Sequence, residues 1–489
     1  MNNGLTDNDI KIISSVLEKF EEVETAVIYG SRALGTFQKG SDIDITLKGQ
    51  NLTNDICSEI HFILEEETLL PYFFDVANYQ TITNINLKEN IDRTGKIFYR
   101  KGWVKTTFAT FAEINPYVKL LKGNTAKFVG MENVNPFTRK ISGFKYKQYD
   151  GGMKFQNGDT LFARITPCLE NGKTAFVDLL EVDESAFGST EFIVIREKKE
   201  ISYDKYLYYL AISPIFRETA IKSMNGTSGR QRVQTDLLKN KIFYLPTFAE
   251  QQSIANVLSS LDDKIELLQE ENKTLEELAQ TIFKEWFVNF NYPDKTGKPY
   301  KKSGGKMVQS ELGEIPEGWS VGKYSSVAEV ITGKGISAEK LKKDGAYEVY
   351  GANGVIGKTD EYLFDEEIII TGRVGTLGKI FLLYSKVWIS DNVLISKPQR
   401  KEYYYFDYFL LKRINFHSLN VGSTQPLVTQ TDLKNVVFVI PPIKILLKWD
   451  INITLLFSKI SNNNAKISVL VQLRDNLLPK LMSGELRVK

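Results

Sequence analysis

Hydrophobic positions divide this 489-residue chain into stretches of different period. Near the N-terminus, Ile10, Ile13, Val16, Leu17 and Phe20 recur at helical spacing and predict an amphipathic helix over residues 7–24. "TAVIYG" reads as a buried strand ending in a glycine turn, and "DIDITL" alternates strictly. Ile43 and Ile45 then face the core, which sets Asp42 and Asp44 together on the opposite face. "CSEIHFILEEE" predicts a helix and "YFFDVANY" a further strand carrying Asp75, and this module ends near residue 100.

Beyond Gly102 the pattern repeats. "GWVKTTFATFAEI" (102–114) resembles "GWSVGKYSSVAEV" (318–330), and "FARITPCLENGKTAFV" (162–177) loosely resembles "ITGRVGTLGKIFLL" (370–383). "NGTSGRQRVQTDLLKNKIFYLP" (225–246) resembles "VGSTQPLVTQTDLKNVVFVIPP" (421–442). The offsets between copies vary, so loops of different length hang on a shared frame.

Each copy runs into a long helical pattern. Ile254, Leu258, Leu261, Ile265, Leu268, Asn272, Leu275, Ala279, Ile282 and Trp286 alternate steps of four and three, a heptad seam interrupted only by Asn272. Leu456, Ile460, Asn463, Ile467, Leu470, Arg474, Leu477 and Leu481 repeat the alternation. Two such seams separated by a globular segment predict antiparallel pairing of the helices, because the chain between them must return. Residues 291–318, rich in Pro, Gly, Lys and Ser, read as a solvated linker.

Composition adds exclusions. Cys57 and Cys168 are the only cysteines and supply neither a disulfide framework nor a zinc site, which predicts a reducing, cytoplasmic setting. His61 and His417 are too few for a histidine-based metal centre. No apolar run is long enough for a bilayer, so no membrane association is expected, and the N-terminus has no signal-peptide pattern. Net charge is +2, but residues 1–103 hold 10 Lys and Arg against 16 Asp and Glu, which is −6 and leaves +8 for the rest. The acidic front and mildly basic body suggest different partners.

The repeated segments, with the "EQQSIANVLSSLDDKI" opening of the first long helix at Glu250–Ile265, resemble the half-repeats of type I restriction-modification specificity subunits over roughly residues 102–485. The second copy departs at "PPIKILLKWDINITLL", where Glu-Gln-Gln is absent. The resemblance implies a multi-domain α/β protein in which two α/β target-recognition domains are separated by two long antiparallel coiled-coil helices. The expected segments are 102–248 and 318–443 for recognition, 249–290 and 444–485 for the helices and 291–317 for the linker. It further implies that each domain reads half of a bipartite double-stranded DNA target and that the helices set the spacing. Residues 250–286 as a helix would span about 55 Å at ~1.5 Å per residue, the length of about 16 base pairs at ~3.4 Å each. Two methyltransferase subunits and the restriction-translocase subunits are the implied partners, and they use S-adenosylmethionine and ATP, while this part of the chain needs no cofactor. Consistent with a non-catalytic reader, no Gly-rich S-adenosylmethionine loop, Asn-Pro-Pro-Tyr motif or Walker A motif is present, and "NVNPFTRK" reads as a loop.

Base edges call for Arg, Asn and Gln, and phosphates for Lys, Arg and backbone amides on exposed loops. In the first copy the candidates are Arg164, Asn171, Lys173, Arg230, Gln231 and Arg232; in the second they are Asn353, Arg373, Lys379, Ser423, Thr424 and Gln425. Each competes with ordinary turn chemistry, which polar loop residues commonly serve.

The front module (1–101) is similar to the minimal nucleotidyltransferase domains of the polymerase-beta superfamily. An apolar residue is followed by Gly30, Ser31 and Arg32, then a loop, the Asp42-x-Asp44 pair and a later strand aspartate, Asp75. The resemblance implies an α/β nucleotidyltransferase-like fold. Asp42, Asp44 and Asp75 would be its catalytic metal ligands, and Gly30, Ser31 and Arg32 its nucleotide-binding residues. Mg²⁺ and a nucleoside triphosphate are candidate cofactors, because two divalent cations clamp the attacking and leaving oxygens in phosphoryl transfer. It leaves open whether the fold retains activity. Three readings therefore stand: a DNA-reading subunit with an appended domain, a nucleotidyltransferase acting on a protein or nucleic acid that the repeats select, and a scaffold assembled through its helices.

Overall fold

The computed structural model describes residues 4–227, 229–422 and 425–488. It forms two compact units, Met1–Asp263 with Leu470–Lys489, and Lys264–Val469. The long helices, Phe248–Phe287 and Ile443–Ser483, are divided between the two. Among the described residues no helix is long and apolar enough to cross a membrane.

The first unit opens with a four-stranded sheet in the order Phe74–Asn78, Ile43–Lys48, Thr25–Ile28, Lys96–Arg100. Only the pair Ile43–Lys48 and Phe74–Asn78 is parallel. Ile43, Ile45 and Leu47 are fully buried against Ile13 and Leu17 of the first helix and Ile60 of the helix Asn54–Phe62. The first helix is shorter than its apolar spacing predicts. A capping box between Thr6 and Asp9 starts it, and it stops at Leu17 rather than residue 24. Glu18, Glu21, Glu22 and Glu24 follow, and carboxylates at a helix C-terminus oppose its dipole.

In the first repeat, Ala112–Ile114, Phe192–Glu197, Thr160–Ala163 and Thr174–Phe176 lie side by side, all antiparallel. A second sheet orders Lys145–Gln148, Thr125–Val129, Ala186–Gly188 and Met153–Phe155, with a parallel pairing between Thr125–Val129 and Ala186–Gly188. The second repeat has the same plan. Ala328–Thr332, Val393–Pro398, Ile368–Gly372 and Ile380–Leu383 form the antiparallel sheet. Gly354–Thr359, Tyr347–Gly351 and Val387–Ile389 form the other, again with one parallel pairing, between Tyr347–Gly351 and Val387–Ile389. Each repeat also returns its last strand to its first: Ile242–Leu245 pairs with Val104–Thr107, and Val437–Ile440 with Ser320–Lys323.

Within each unit the long helices pair antiparallel. In the first, Ile254, Ala255 and Leu258 join Leu478, Leu481 and Met482 in one core with Tyr206, Phe216 and Phe243. The buried Asp262 meets Arg474 there at 2.7 Å. In the second, Phe283 and Phe287 pack on Trp449 at ring-centroid distances of 5.9 and 5.1 Å. The polar interruption of the first seam is matched by polar partners. Asn463 donates to Asn272 (2.9 Å) and Glu271 (3.0 Å), and Asn272 donates to Asn464 (2.8 Å). Amide pairs of this kind inside a seam fix register at a cost in stability.

Residues 291–318 are exposed over most of their length, lysines included, but have local structure of their own. Met307–Ser310 and Gly313–Pro316 form a hairpin, and Tyr292 stacks between Tyr300 (4.7 Å) and Trp319 (5.3 Å). The aromatic residues scattered among its glycines and lysines supply the apolar area that holds the segment to the second core.

Candidate nucleotide-transfer site and nucleic-acid interface

In the N-terminal sheet the parallel register sets Asp44 directly opposite Asp75, and Asp42 precedes Asp44 by two residues. Asp44 is half-buried, whereas Asp42 and Asp75 are exposed. Burial pushes the Asp44 carboxyl above its ordinary pKa, and the charges of Asp75 and Asp42 push the same way. Tyr29 is driven up to about 12, first by burial and then by Asp75 and Asp44. The neighbouring Arg32 guanidinium opposes these effects on Asp44 without cancelling them.

Gly30 follows Tyr29 at φ +67° and opens the short helix Gly30–Leu34. A Cβ there would sit 2.4 Å from Asp44 Oδ2, so only glycine lets this turn lie against the carboxylate. The Ser31 hydroxyl has no hydrogen-bond partner among the described residues. Arg32 is buried, and its guanidinium donates to the carbonyls of Ser41 (2.6 Å) and Asp42 (3.0 Å) and lies 5.0 Å from the Tyr72 ring. It braces the loop that carries Asp42. Among the described residues no three His, Cys, Asp or Glu side chains close around a single metal position. Mg²⁺ in phosphoryl transfer is held by one or two carboxylates together with substrate phosphates and water, and the Asp44–Asp75 pair with Asp42 beside it matches that donor chemistry.

In the first repeat, three loops meet. Thr166 donates to the Gln231 carbonyl (3.0 Å) and Val233 to the Arg164 carbonyl (2.9 Å), while Phe137 donates to the Gly172 carbonyl (3.0 Å). Several candidates are engaged within the fold. Arg164 donates to the Val233 carbonyl (3.2 Å), Lys173 to the Met131 carbonyl (2.8 Å), and Arg232 forks onto Glu191 at 2.6 Å. Asn171 and Arg230 are exposed, and Gln231 is half-buried. Among the described residues Arg230 has no ion-pair partner.

The second repeat builds the same junction. Gly375 donates to the Pro426 carbonyl (3.0 Å) and Val428 to the Arg373 carbonyl (3.0 Å). Lys379 bonds the exposed Asn353 side chain, and a Cβ on Gly375 would lie 3.2 Å from the Gln425 amide nitrogen. Ser423 and Thr424 lie outside the described residues. Arg164 and Arg373 occupy the same place. Each follows its central strand, donates its backbone N–H across the sheet at 2.9 Å, to Glu191 and Asn392 respectively, and has a buried Nε without a partner among the described residues.

Residues 75–277 and 316–467 match the type I restriction modification DNA specificity domain. The chain belongs to the type I restriction-modification DNA specificity family. The MjaIX specificity subunit of Methanocaldococcus jannaschii is 31% identical over 58% of this chain and 69% of its own length. The HindI specificity subunit of Haemophilus influenzae is 23% identical over 79% of this chain and 99% of its own. The crystal structure of a type I restriction-modification S subunit from M. genitalium covers 78% of this chain and 96% of that one, at 18% identity and a TM-score of 0.45. Residues 11–102 match the polymerase beta nucleotidyltransferase family, so this specificity subunit carries a nucleotidyltransferase-type domain at its front.

The "EQQ" of the specificity subunit's first long helix has a structural role that spacing alone did not show. Glu250 accepts from Trp103 Nε1 (3.1 Å) and from both arms of Arg487 (2.6 and 2.8 Å). Gln251, 1% exposed, accepts from the Tyr203 N–H (2.9 Å) and donates to the carbonyls of Ile201 and Pro246. These residues tie the helix start to the strand before it and to the C-terminal tail. The paired unusual residues, a Glu-Gln-Gln run and a terminal Arg, were the available signal.

Proposed function

We propose that this specificity subunit reads a bipartite double-stranded DNA sequence, one half through each repeat, in complex with two methyltransferase subunits and restriction-translocase subunits in the cytoplasm. Methylation with S-adenosylmethionine and ATP-dependent cleavage then belong to the partners. The carrying observation is the equivalence of the two loop junctions, where the same strand, the same backbone bonds and an arginine with a buried, unpartnered Nε recur at Arg164 and Arg373. A duplicated frame with different loop sequences suits two half-sites of different sequence. Guanidinium and amide groups are the side chains that distinguish base edges in a groove.

The second long helix supports partner docking. Leu447, Ile451 and Leu455 are 41%, 65% and 66% exposed. At ~3.6 residues per turn they fall within an arc of about 80°. An apolar stripe of this kind on a long helix is a surface for another protein. Purified with its methyltransferase subunits, the chain is expected to direct methylation to a two-part sequence. A complex that methylates no such sequence contradicts the reading.

The Asp42, Asp44 and Asp75 arrangement favours a second activity, transfer of a nucleoside monophosphate to a protein or nucleic acid. These carboxylates would hold Mg²⁺, which when bound would neutralise the phosphates and organise the displacement. Gly30 lets the backbone close on the site, and the Ser31 hydroxyl is available to a phosphate oxygen. Incubation with labelled nucleoside triphosphates and Mg²⁺ is expected to label an acceptor, and Asp42→Asn with Asp44→Asn is expected to abolish the label. Labelling that survives this double change removes the carboxylates from the chemistry.

A further inference from the structure

Residues 115–155 of the first repeat carry seven lysines and Arg139 against only Glu132 and Asp150, a net +6 in a chain of +2. The corresponding span of the second repeat, residues 333–364, holds five lysines and five acidic residues and is neutral. The fold concentrates this difference on one sheet. The edge strand Lys145–Gln148 is exposed throughout, and pairs Lys145 with Phe128 and Lys147 with Ala126. Strand alternation puts Lys145 and Lys147 on the same face as Phe128 and Tyr149. Lys147 lies 3.9 Å from the Phe128 ring and Lys154 4.8 Å from the Tyr149 ring. Tyr149 exchanges backbone bonds of 2.8 Å with Gly123 and Asn124, which brings the exposed segment of Lys119 and Lys122 to the same edge.

Two of the first repeat's basic groups are answered by acids outside the span, Lys127 by Glu184 (2.8 Å) and Arg139 by Asp263 (2.5 Å), and the four lysines of the edge remain. Among the described residues Lys119, Lys122, Lys145 and Lys147 have no acidic partner. In the second repeat Lys340 pairs with Glu361 at 2.8 Å, and Lys342 pairs with Asp360. The segment before this edge strand is tied to the loop junction, since Ser142 donates to the Asn133 carbonyl (2.9 Å) and Pro136 bridges to Lys173.

We propose that this basic and aromatic face grips the phosphate backbone of the duplex, and that the second repeat has no counterpart of it. The inference rests on the DNA-reading function above and gives the two halves unequal parts: sequence-independent affinity comes chiefly from the first repeat, while both contribute base reading. Unpaired surface lysines release counterions when they meet phosphates, and each such contact steepens the salt dependence by ~0.9 in log–log slope.

The test uses the chain assembled with its methyltransferase subunits, carrying Lys145→Gln and Lys147→Gln. Binding is titrated at several salt concentrations with two duplexes, one holding the methylated sequence and one lacking it. Affinity for both duplexes is expected to fall by the same factor, with the salt slope shallower by about 1–2 and the methylated sequence unchanged. Unchanged affinity and slope in a complex that still methylates would overturn the phosphate grip and leave DNA reading intact. A changed sequence preference would overturn it too, since the lysines would then be reading bases. A wild-type complex that methylates no bipartite sequence removes the DNA-reading function and the inference together.

Discussion

Replacing Arg474 with alanine is expected to destabilise the first unit by about 3–5 kcal/mol, read as a shift in denaturant or thermal unfolding. Arg474 is 5% exposed and Asp262 is 2% exposed. The guanidinium donates to Asp262 Oδ1 at 2.7 Å and to Asp475 at 2.8 Å, and Asp262 also accepts from the Tyr209 hydroxyl at 2.7 Å. Burial disfavours the Arg474 charge, but Asp262 and Asp475 outweigh burial and hold its pKa above the ordinary value. Alanine would strand the Asp262 carboxylate in the core with one hydroxyl for company, which is why breaking the pair costs more than the pair contributes. Removing both partners, as Asp262→Leu with Arg474→Met, is expected to cost much less. A double variant as unstable as Arg474→Ala alone would show that the loss is one of packing and not of stranded charge.

Trp449→Ala is the second large effect, expected at about 3–5 kcal/mol on the second unit. Trp449 is fully buried, with Phe283, Phe287, Phe406 and Phe409 around it at centroid distances of 5.1–6.4 Å. Truncation to alanine leaves a cavity that these rings, locked by one another, fill only in part. Trp449→Phe is expected to be far milder. It keeps a ring in place and deletes an indole N–H that is buried without a partner among the described residues. An alanine variant with wild-type unfolding would mean that this aromatic cluster does not hold the helix end to the second repeat.

The frame was largely legible in sequence because its period was strong. The 4–3 alternation from Ile254 to Trp286 yields a continuous helix, and Arg474, a seam position occupied by a charge, is answered by Asp262 one helix away. The Asp42-x-Asp44 pattern on a strand required both side chains on one face, and the parallel register then aligns Asp75 with Asp44. What sequence did not disclose is which polar group is already spoken for. Arg32, Arg232 and Lys173 look alike as exposed basic loop residues in a sequence. The fold gives them to the Ser41 carbonyl, to Glu191 and to the Met131 carbonyl. Such pairings join residues up to 42 positions apart and leave no local periodicity to detect. The basic sheet face was hidden for a related reason: its lysines alternate with aromatics along one strand and are gathered from separate segments. In residues 291–318 composition displays the exposed glycines and lysines and not the stacking of Tyr292 on Tyr300, which orders part of the segment.

The central claim is that each repeat reads its own half of one DNA target. Its most direct test replaces residues 105–245 with the matching segment of a specificity subunit that directs methylation elsewhere, expresses the hybrid with the methyltransferase subunits, and sequences the methylated positions of the host genome. One half of the methylated sequence is expected to change to that of the donor, with the other half retained. A hybrid that folds, assembles and still methylates the original sequence would contradict the claim.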